Sequence, residues 1–136
     1  MPAHLVRSNV LYSGAPYAYA SVAPGGSLVF TAGACPLDEN GTVTAVGDYT
    51  RQASDAMANL VTALAAAGAS LSDVLKTTVY VASSDRRDLF TVWQVVHAAF
   101  GAHDPPSTLL GVTVLGYSDQ LVEIEAVALA SQQAPP

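Results

Sequence analysis

The chain has 136 residues, which fits one domain and allows a sizeable hydrophobic core without a disulfide or a metal. Its formal net charge is −6 and its five Lys and Arg residues are scattered, which argues against a nucleic-acid partner. Cys35 is the one cysteine, so a reducing compartment is expected. No signal peptide and no apolar run of ~18 residues is present, which favours a cytoplasmic location and no membrane partner.

The balance of apolar and charged residues is unusual for a free-standing domain. Hydrophobic residues make up 51% of the chain and charged residues 12%. Soluble domains typically have about 25% charged residues, so some apolar surface is expected to remain exposed on the monomer. The composition therefore predicts a homo-oligomer. We expect one domain over residues 1–131 and a disordered tail over residues 132–136.

The first half of the chain predicts a strand, a turn and a helix. A β-rich run at 27–32 follows a Pro-Gly-Gly breaker, and an Asn-Gly pair predicts a hairpin or tight loop within 36–46. Asp48 is a good N-cap and Gly68 a C-terminal stop, and apolar residues recur between them at helical spacing. Those apolar positions are Tyr49, Ala53, Met57, Leu60, Leu64 and Ala67.

The second half predicts a strand, a helix and two closing strands. Residues 75–82 alternate with period two, and a second helix runs from a cap at Ser84 or Asp85 to Gly101. Pro105 and Pro106 block helix continuation before strands at roughly 108–115 and 121–130. A helix between two strands favours a crossover connection, so the pattern predicts an α+β domain with a mixed sheet and two helices.

No common catalytic motif is present, and neither a metal nor another cofactor is predicted. His4, His97 and His103 are far apart in the sequence, and His97 lies on an apolar helical stripe typical of a packed residue. Phe90 and Trp93 share that stripe and are interpreted mainly as core. A lone Cys35 is more typical of a small buried side chain than of a nucleophile, since no histidine partner is apparent.

Three segments of the sequence carry a resemblance to a known family. LVFTAGACPLD, AAAGASLSDVLKTTVYVA and LVEIEAVA, within residues 17–128, resemble the Rid family, the enamine and imine deaminases also called YjgF/YER057c/UK114 proteins. The resemblance implies a YjgF-like (chorismate mutase-like) fold, in which a six-stranded, mostly antiparallel mixed sheet carries two helices on one face. It also implies a homotrimer around a central barrel, with a small-molecule cleft at each subunit interface.

The same resemblance implies roles for individual residues. Glu123 matches the glutamate that positions the hydrolytic water, Gly33 the substrate-orienting glycine, and Tyr19 (or Tyr17, with a shifted gap) the tyrosine. The family's carboxylate-gripping arginine has no counterpart, because Ser107 stands at its position, or Thr108 if no gap is allowed. Cys35 lies close to Gly33 in sequence and is included among the candidate substrate-binding residues.

The sequence also allows structural interpretations of Glu123, Ser107 and Tyr19. Glu123 alternates with apolar residues and also fits a plain solvent-facing strand position, Ser107 fits a strand cap, and Tyr19 fits an interface aromatic. The resemblance implies a hydrolase of a reactive imine or enamine whose substrate differs from simple 2-imino acids, because a serine cannot replace a guanidinium fork. The alternatives are a binding protein without turnover and a divergent enzyme that uses Ser107 or Cys35.

Overall fold

The computed structural model describes residues 3–130, and the tail predicted at 132–136 lies outside them. Within this range no helix is long and apolar enough to cross a membrane. Two helices, one short 3-10 turn and six strands form the fold. They are β1 (His4–Val6), β2 (Ala20–Val22), β3 (Ser27–Phe30), α1 (Tyr49–Ala66), the 3-10 turn (Leu71–Asp73), β4 (Val74–Ala82), α2 (Arg86–Phe100), β5 (Ser107–Val112) and β6 (Val122–Ala130).

Both predicted helices are confirmed together with their boundary residues. The Asp48 side chain accepts a hydrogen bond from the Arg51 amide at the start of α1, and Asp85 caps α2 in the same way. Side-chain caps of this kind satisfy amide groups that have no partner inside the helix. Gly101 ends α2 with a φ of 65°, a left-handed conformation that glycine adopts without steric cost.

The strands form a mixed arrangement, as predicted, but not one continuous six-stranded sheet. The order β3-β6-β4-β5 makes a four-stranded sheet in which only β4 and β5 are parallel, connected through α2. β1 and β2 pair separately as a three-residue antiparallel ribbon. The Ser21 hydroxyl donates a hydrogen bond to the Leu75 carbonyl and so connects this ribbon to β4. The expected six-stranded sheet is therefore observed as a four-stranded sheet with a separate two-stranded ribbon attached to it.

The predicted loop at 36–46 is tight, with a single bridge between Leu37 and Val43 instead of two strands. The Gly41 amide donates to the Asp38 carbonyl at 3.0 Å, which closes the turn at the Asn-Gly pair. Asn59 of α1 donates to the carbonyls of Cys35 and Leu37 at 2.8 and 3.0 Å. The start of this loop is therefore fixed against the first helix.

The two faces of the four-stranded sheet differ in a way that the strand alternation predicts. Val79, Val81, Val122 and Ile124 point toward the helices and are fully buried with apolar residues of α1 and α2. The opposite face, called here the open face, consists of the outward residues of the four strands and includes Glu123. Its residues are Leu28, Phe30, Lys76, Thr78, Tyr80, Thr108, Leu110, Glu123, Glu125 and Val127.

Candidate active site

Glu123 lies on the open face beside the segment that follows β3. Ala34 and Ile124 exchange backbone hydrogen bonds of 2.7 and 3.1 Å, which brings residues 33–35 alongside β6. Gly33 and Cys35 flank Ala34 and both lie against the Glu123 side chain. The structure therefore brings together three of the predicted site residues, although 88 positions separate Cys35 from Glu123.

The Glu123 carboxylate is held in a defined orientation. Its Oε1 atom accepts hydrogen bonds from Gln120 Nε2 at 3.1 Å and from Cys35 Sγ at 3.4 Å. Its Oε2 atom lies over the Gly33 backbone, where a β-carbon would come within 2.0 Å of it. Among the described residues no donor reaches Oε2. One carboxylate oxygen is thus anchored, and the other is available to a water molecule or a ligand.

Cys35 acts in this arrangement as a hydrogen-bond donor. Partial burial and the neighbouring Glu123 carboxylate raise the pKa of the Cys35 thiol to about 11. A thiol with this pKa is protonated at neutral pH, whereas nucleophilic cysteines need the thiolate. The raised pKa therefore argues against the alternative in which Cys35 attacks a substrate.

Gln120 belongs to this site and was missed by sequence reasoning. Its side chain is buried in the turn before β6, where it accepts from the Tyr117 amide and donates to the Val122 carbonyl, both at 3.1 Å. The sequence around it, Ser-Asp-Gln-Leu, is typical of an exposed turn. No periodicity marks this glutamine as buried, so only the fold reveals its contact with Glu123.

The two candidates for the arginine position lie on opposite faces of β5. Thr108 pairs with Thr78 and shares the open face with Glu123. Ser107 points toward the helices, where its hydroxyl donates to the Pro105 carbonyl at 3.0 Å and lies 2.5 Å from the Thr77 hydroxyl. Of the two, Thr108 is therefore the one that shares a face with Glu123, and the Ser107 hydroxyl is engaged within the fold.

A cation does approach the Thr108 position. The Lys76 ammonium group donates to Thr108 Oγ1 at 3.0 Å on the surface of the open face. Lys76 and Glu125 line a shallow cavity together with Tyr19. A lysine presents one compact charge, so it cannot reproduce the bidentate grip of a guanidinium on a carboxylate.

Tyr17 and Tyr19 take different positions near this edge of the sheet. Tyr17 packs edge-on against Trp93 with ring centroids 6.4 Å apart, and these two rings line a cavity of about 340 Å³ with Ser107, Thr108 and Leu109. The Tyr19 hydroxyl donates to the Tyr12 carbonyl at 2.6 Å. Tyr17 shares its cavity with Thr108, whereas Tyr19 lines the cavity of Lys76 and Glu125. Neither ring reaches Glu123 of the same chain through any described hydrogen bond.

The histidines do not converge on a site. His97 stacks on Trp93 with centroids 5.8 Å apart, and its Nε2 lies 3.2 Å from a carboxylate oxygen of Asp104. His103 Nε2 lies 2.8 Å from the Val74 carbonyl. These contacts fit the packing role predicted for His97. In residues 3–130 no cluster of His, Cys, Asp or Glu side chains is suited to a metal ion.

These features define an α+β protein whose sheet carries an oriented carboxylate beside a glycine backbone. The family model described as Endoribonuclease L-PSP matches residues 8–130. A RutC family protein of Pyrococcus horikoshii is 34% identical over 110 residues, covering 81% of this chain and 85% of that protein. A 2-iminobutanoate/2-iminopropanoate deaminase of Salmonella typhimurium is 35% identical over 107 residues, covering 76% and 80%.

Solved structures agree with the sequence relatives. A Rid family protein of unknown function from Yersinia pestis superposes with a TM-score of 0.88 at 26% identity, covering 95% of this chain and 99% of that one. TdcF of E. coli with bound serine superposes with a TM-score of 0.67 at 32% identity, covering 86% and 90%. The chain belongs to the Rid (YjgF/YER057c/UK114) family, and its relatives include proteins named reactive intermediate deaminases.

Proposed function

We propose that this protein hydrolyses a reactive imine or enamine, with Glu123 as the acid–base residue. The observation that carries the proposal is the carboxylate orientation: Oε1 is anchored by Gln120 and Cys35, and Oε2 lies over Gly33 without a donor among the described residues. A general base must reach the proton that it removes, and the absence of a described donor on Oε2 supports this role for Glu123.

The proposed reaction consumes one water molecule and releases ammonia. Oε2 accepts a proton as the water oxygen bonds to the imine carbon, and that proton is then delivered to the nitrogen. The resulting carbinolamine then passes its hydroxyl proton through Glu123 to the amino nitrogen while the C–N bond breaks with its electron pair on nitrogen, which leaves a carbonyl product and ammonia. An enamine enters the same route after its β-carbon is protonated to give the imine, so no metal or redox cofactor is required.

The proposed substrate differs from a simple 2-imino acid. Neither Ser107 nor Thr108 offers a guanidinium, and Lys76 beside Thr108 supplies a single charge. A hydrogen bond to a charged group contributes ~1.5–3 kcal/mol, against roughly 1 kcal/mol for a neutral pair. The aromatic cavity of Tyr17 and Trp93 beside Thr108 favours a substrate with an apolar group over a small carboxylate.

The proposed assembly is a homotrimer whose open faces line a central barrel, with clefts between subunits. The exposed apolar residues on the open face support it: Phe30 is 72% exposed, and Leu28 and Leu110 are also exposed. Exposed apolar residues of this kind are typical of protein interfaces. Within such a trimer, Thr108 of one subunit and Glu123 of another would complete one cleft.

Ammonia release tests the enzymatic proposal. An amino-acid oxidase generates imines in situ from alanine, 2-aminobutyrate, leucine and phenylalanine, and ammonia formation is followed with and without the protein. We expect acceleration that is greater for the imines with larger apolar side chains. No acceleration above buffer with any of the four imines would exclude 2-imino acids as substrates. If imines without a carboxylate, generated by an amine oxidase, were not accelerated either, the proposed reaction would be contradicted.

A binding protein without turnover is the second candidate. The missing guanidinium and the internally bonded Ser107 hydroxyl favour it, because both weaken the grip on a carboxylate substrate. A thermal-shift screen of small carbonyl compounds and amines separates the two candidates. A ligand at 100 times its Kd stabilises a protein by ~2.7 kcal/mol, and a ligand that is bound but never consumed favours the binding function.

A further inference from the structure

Gln120 makes more directed contacts than a turn residue requires. Its side chain is 4% exposed, and all three of its hydrogen-bonding contacts have defined partners. The amide oxygen accepts from the Tyr117 N–H, and the amide nitrogen donates to the Val122 carbonyl. Because the first partner is a donor and the second an acceptor, the amide can take only one orientation. Its remaining N–H points at Glu123 Oε1, 3.1 Å away.

The contact between Gln120 and Glu123 determines which carboxylate oxygen of Glu123 is available to a ligand or a water molecule. Oε1 receives the Gln120 amide and the Cys35 thiol from two different segments of the chain. The Glu123 side chain then lies along Gly33, with Cγ, Cδ and Oε2 all close to the glycine α-carbon. A glutamate on an open sheet face otherwise exchanges among several rotamers, so these two donors select one of them.

A second buried glutamine also anchors the backbone of this turn. Gln52 of α1 is fully buried, donates to the carbonyls of Asp119 and Ala45, and accepts from the Leu121 amide at 2.8 Å. Gln52 therefore holds the backbone on both sides of Gln120 without touching Glu123. Both glutamines bind the backbone of this turn, but of the two only Gln120 also donates to the Glu123 carboxylate.

We propose that Gln120, assisted by Cys35, is a positioning residue that fixes Glu123 with Oε2 directed to the attacking water. This inference rests on the proposed function and deepens it. In this inference the donors on Oε1 only orient the Glu123 side chain, and Oε2 is the atom that exchanges protons with water and substrate. Preorganised groups of this kind act in the transition state, so their loss lowers kcat more than it changes KM.

The kinetic test compares the two glutamines. Gln120→Met keeps the side-chain volume and removes the donor, and Gln52→Met is the matched control with an equally buried glutamine in the same region. We expect Gln120→Met to lower kcat on the order of tenfold with little change in KM, and Gln52→Met to lower thermal stability with kcat nearly unchanged. An equal loss of kcat in Gln52→Met would assign Gln120 a merely structural role.

Cys35 provides a rescue experiment. Cys35→Ser retains a donor for Oε1, whereas Cys35→Ala removes it, and both are close in size to the native residue. We expect Cys35→Ser to keep most of the kcat and Cys35→Ala to lose several-fold. Equal kcat values for the two variants would remove Cys35 from the proposed positioning pair.

A crystal structure of Gln120→Met decides the inference without any turnover. We expect Glu123 to leave Gly33 and to occupy more than one rotamer. A Glu123 side chain that stays in place over Gly33 overturns the inference, whatever the activity. If the wild-type protein does not accelerate ammonia release but Glu123 moves in this variant, the proposed reaction fails while the positioning contact stands.

Discussion

Glu123 Oε2 and the α-carbon of Gly33 are so close that a β-carbon at position 33 would lie 2.0 Å from that oxygen. The glycine is therefore required by the neighbouring carboxylate and not by its own backbone, since its φ lies outside the left-handed region. This relationship connects the segment after β3 with β6 and makes the carboxylate orientation sensitive to a single methyl group.

Gly33→Ala is expected to push Glu123 away and to destabilise the fold by ~1–3 kcal/mol, the usual cost of overpacking. The double variant Gly33→Ala/Glu123→Ala lacks the carboxylate, so it should recover most of the lost free energy of unfolding. Chemical denaturation of the two single variants and the double variant measures the coupling free energy between the two positions. Gly116→Ala is the control, because a β-carbon there meets nothing within 4 Å. If the changes in unfolding free energy caused by Gly33→Ala and Glu123→Ala were additive, the proposed clash between residue 33 and Glu123 would be contradicted.

Glu123→Gln keeps the shape of the side chain and removes the base. General acid–base groups contribute typically 10²–10⁴-fold to rate, so ammonia release should fall by at least about 10²-fold. Glu125→Gln is the matched control, because Glu125 is two residues further along the same strand and on the same face. If Glu125→Gln lost as much activity as Glu123→Gln, Glu123 would not be the specific base.

The sequence predicted most of the fold because its strongest patterns are local. Asp48 and Gly68 marked one helix, Asp85 and Gly101 the other, and alternation assigned the buried faces of β4 and β6. The strands β1 and β2 were not recognised, because three residues are too few to show a period of two. Their pairing with each other depends on tertiary contacts that no local pattern records.

The site was predictable only in part. The family resemblance indicated Gly33 and Glu123, and the structure places them in contact. Gln120 carried no signal, since its burial arises from the turn that folds it back under Glu123. The sequence left Ser107 and Thr108 as alternatives, and the register of β5 shows only that Thr108 shares a face with Glu123, because a shift of one residue exchanges the two faces of a strand.

The raised pKa of Cys35 predicts a specific pH dependence of stability. The thiol titrates at 9.0 when unperturbed and at about 11 in the folded protein. The folded state therefore retains a proton that the unfolded chain has lost, so stability is fully present below about pH 9 and falls as pH rises through about 11. Urea unfolding of the wild type and of Cys35→Ala across this range should show a smaller decline in the variant.

The pKa of the Cys35 thiol also depends on the charge of Glu123. The Glu123 carboxylate helps to raise the pKa of Cys35, so Glu123→Gln should increase the thiolate fraction at a given pH. Alkylation of Cys35, the one cysteine in the chain, should then be faster in Glu123→Gln than in the wild type. Glu125→Gln is again the control, and an unchanged alkylation rate in Glu123→Gln would show that the two groups do not interact in solution.

The exposed apolar residues of the open face predict an effect on assembly. Phe30→Glu places a charge in the proposed subunit interface, so light scattering should detect a shift from trimer to monomer. Val61→Glu is the control, because Val61 is an exposed apolar residue of α1 on the helical side. A wild-type protein that is a stable monomer would contradict both the trimer and the inter-subunit cleft.

Thr108→Arg tests whether substrate choice depends on the missing guanidinium. Thr108 shares the open face with Glu123, so an arginine there can reach a carboxylate in the cleft. Replacing a neutral hydrogen bond by a bidentate charged pair should raise kcat/KM for 2-iminobutanoate by at least about tenfold. Lys76 lies beside this position, so Lys76→Met is added in a second variant to remove the repulsion between like charges.

Ser107→Arg is the matched control for this gain. Ser107 faces the helices and is hydrogen-bonded to Thr77 and Pro105, so an arginine there disrupts these contacts and lies on the face of β5 opposite to Glu123. We expect Ser107→Arg to lower the melting temperature and to bring no gain with 2-imino acids. A gain in Ser107→Arg but not in Thr108→Arg would contradict the assignment of the carboxylate-binding position to Thr108 and would assign it to Ser107.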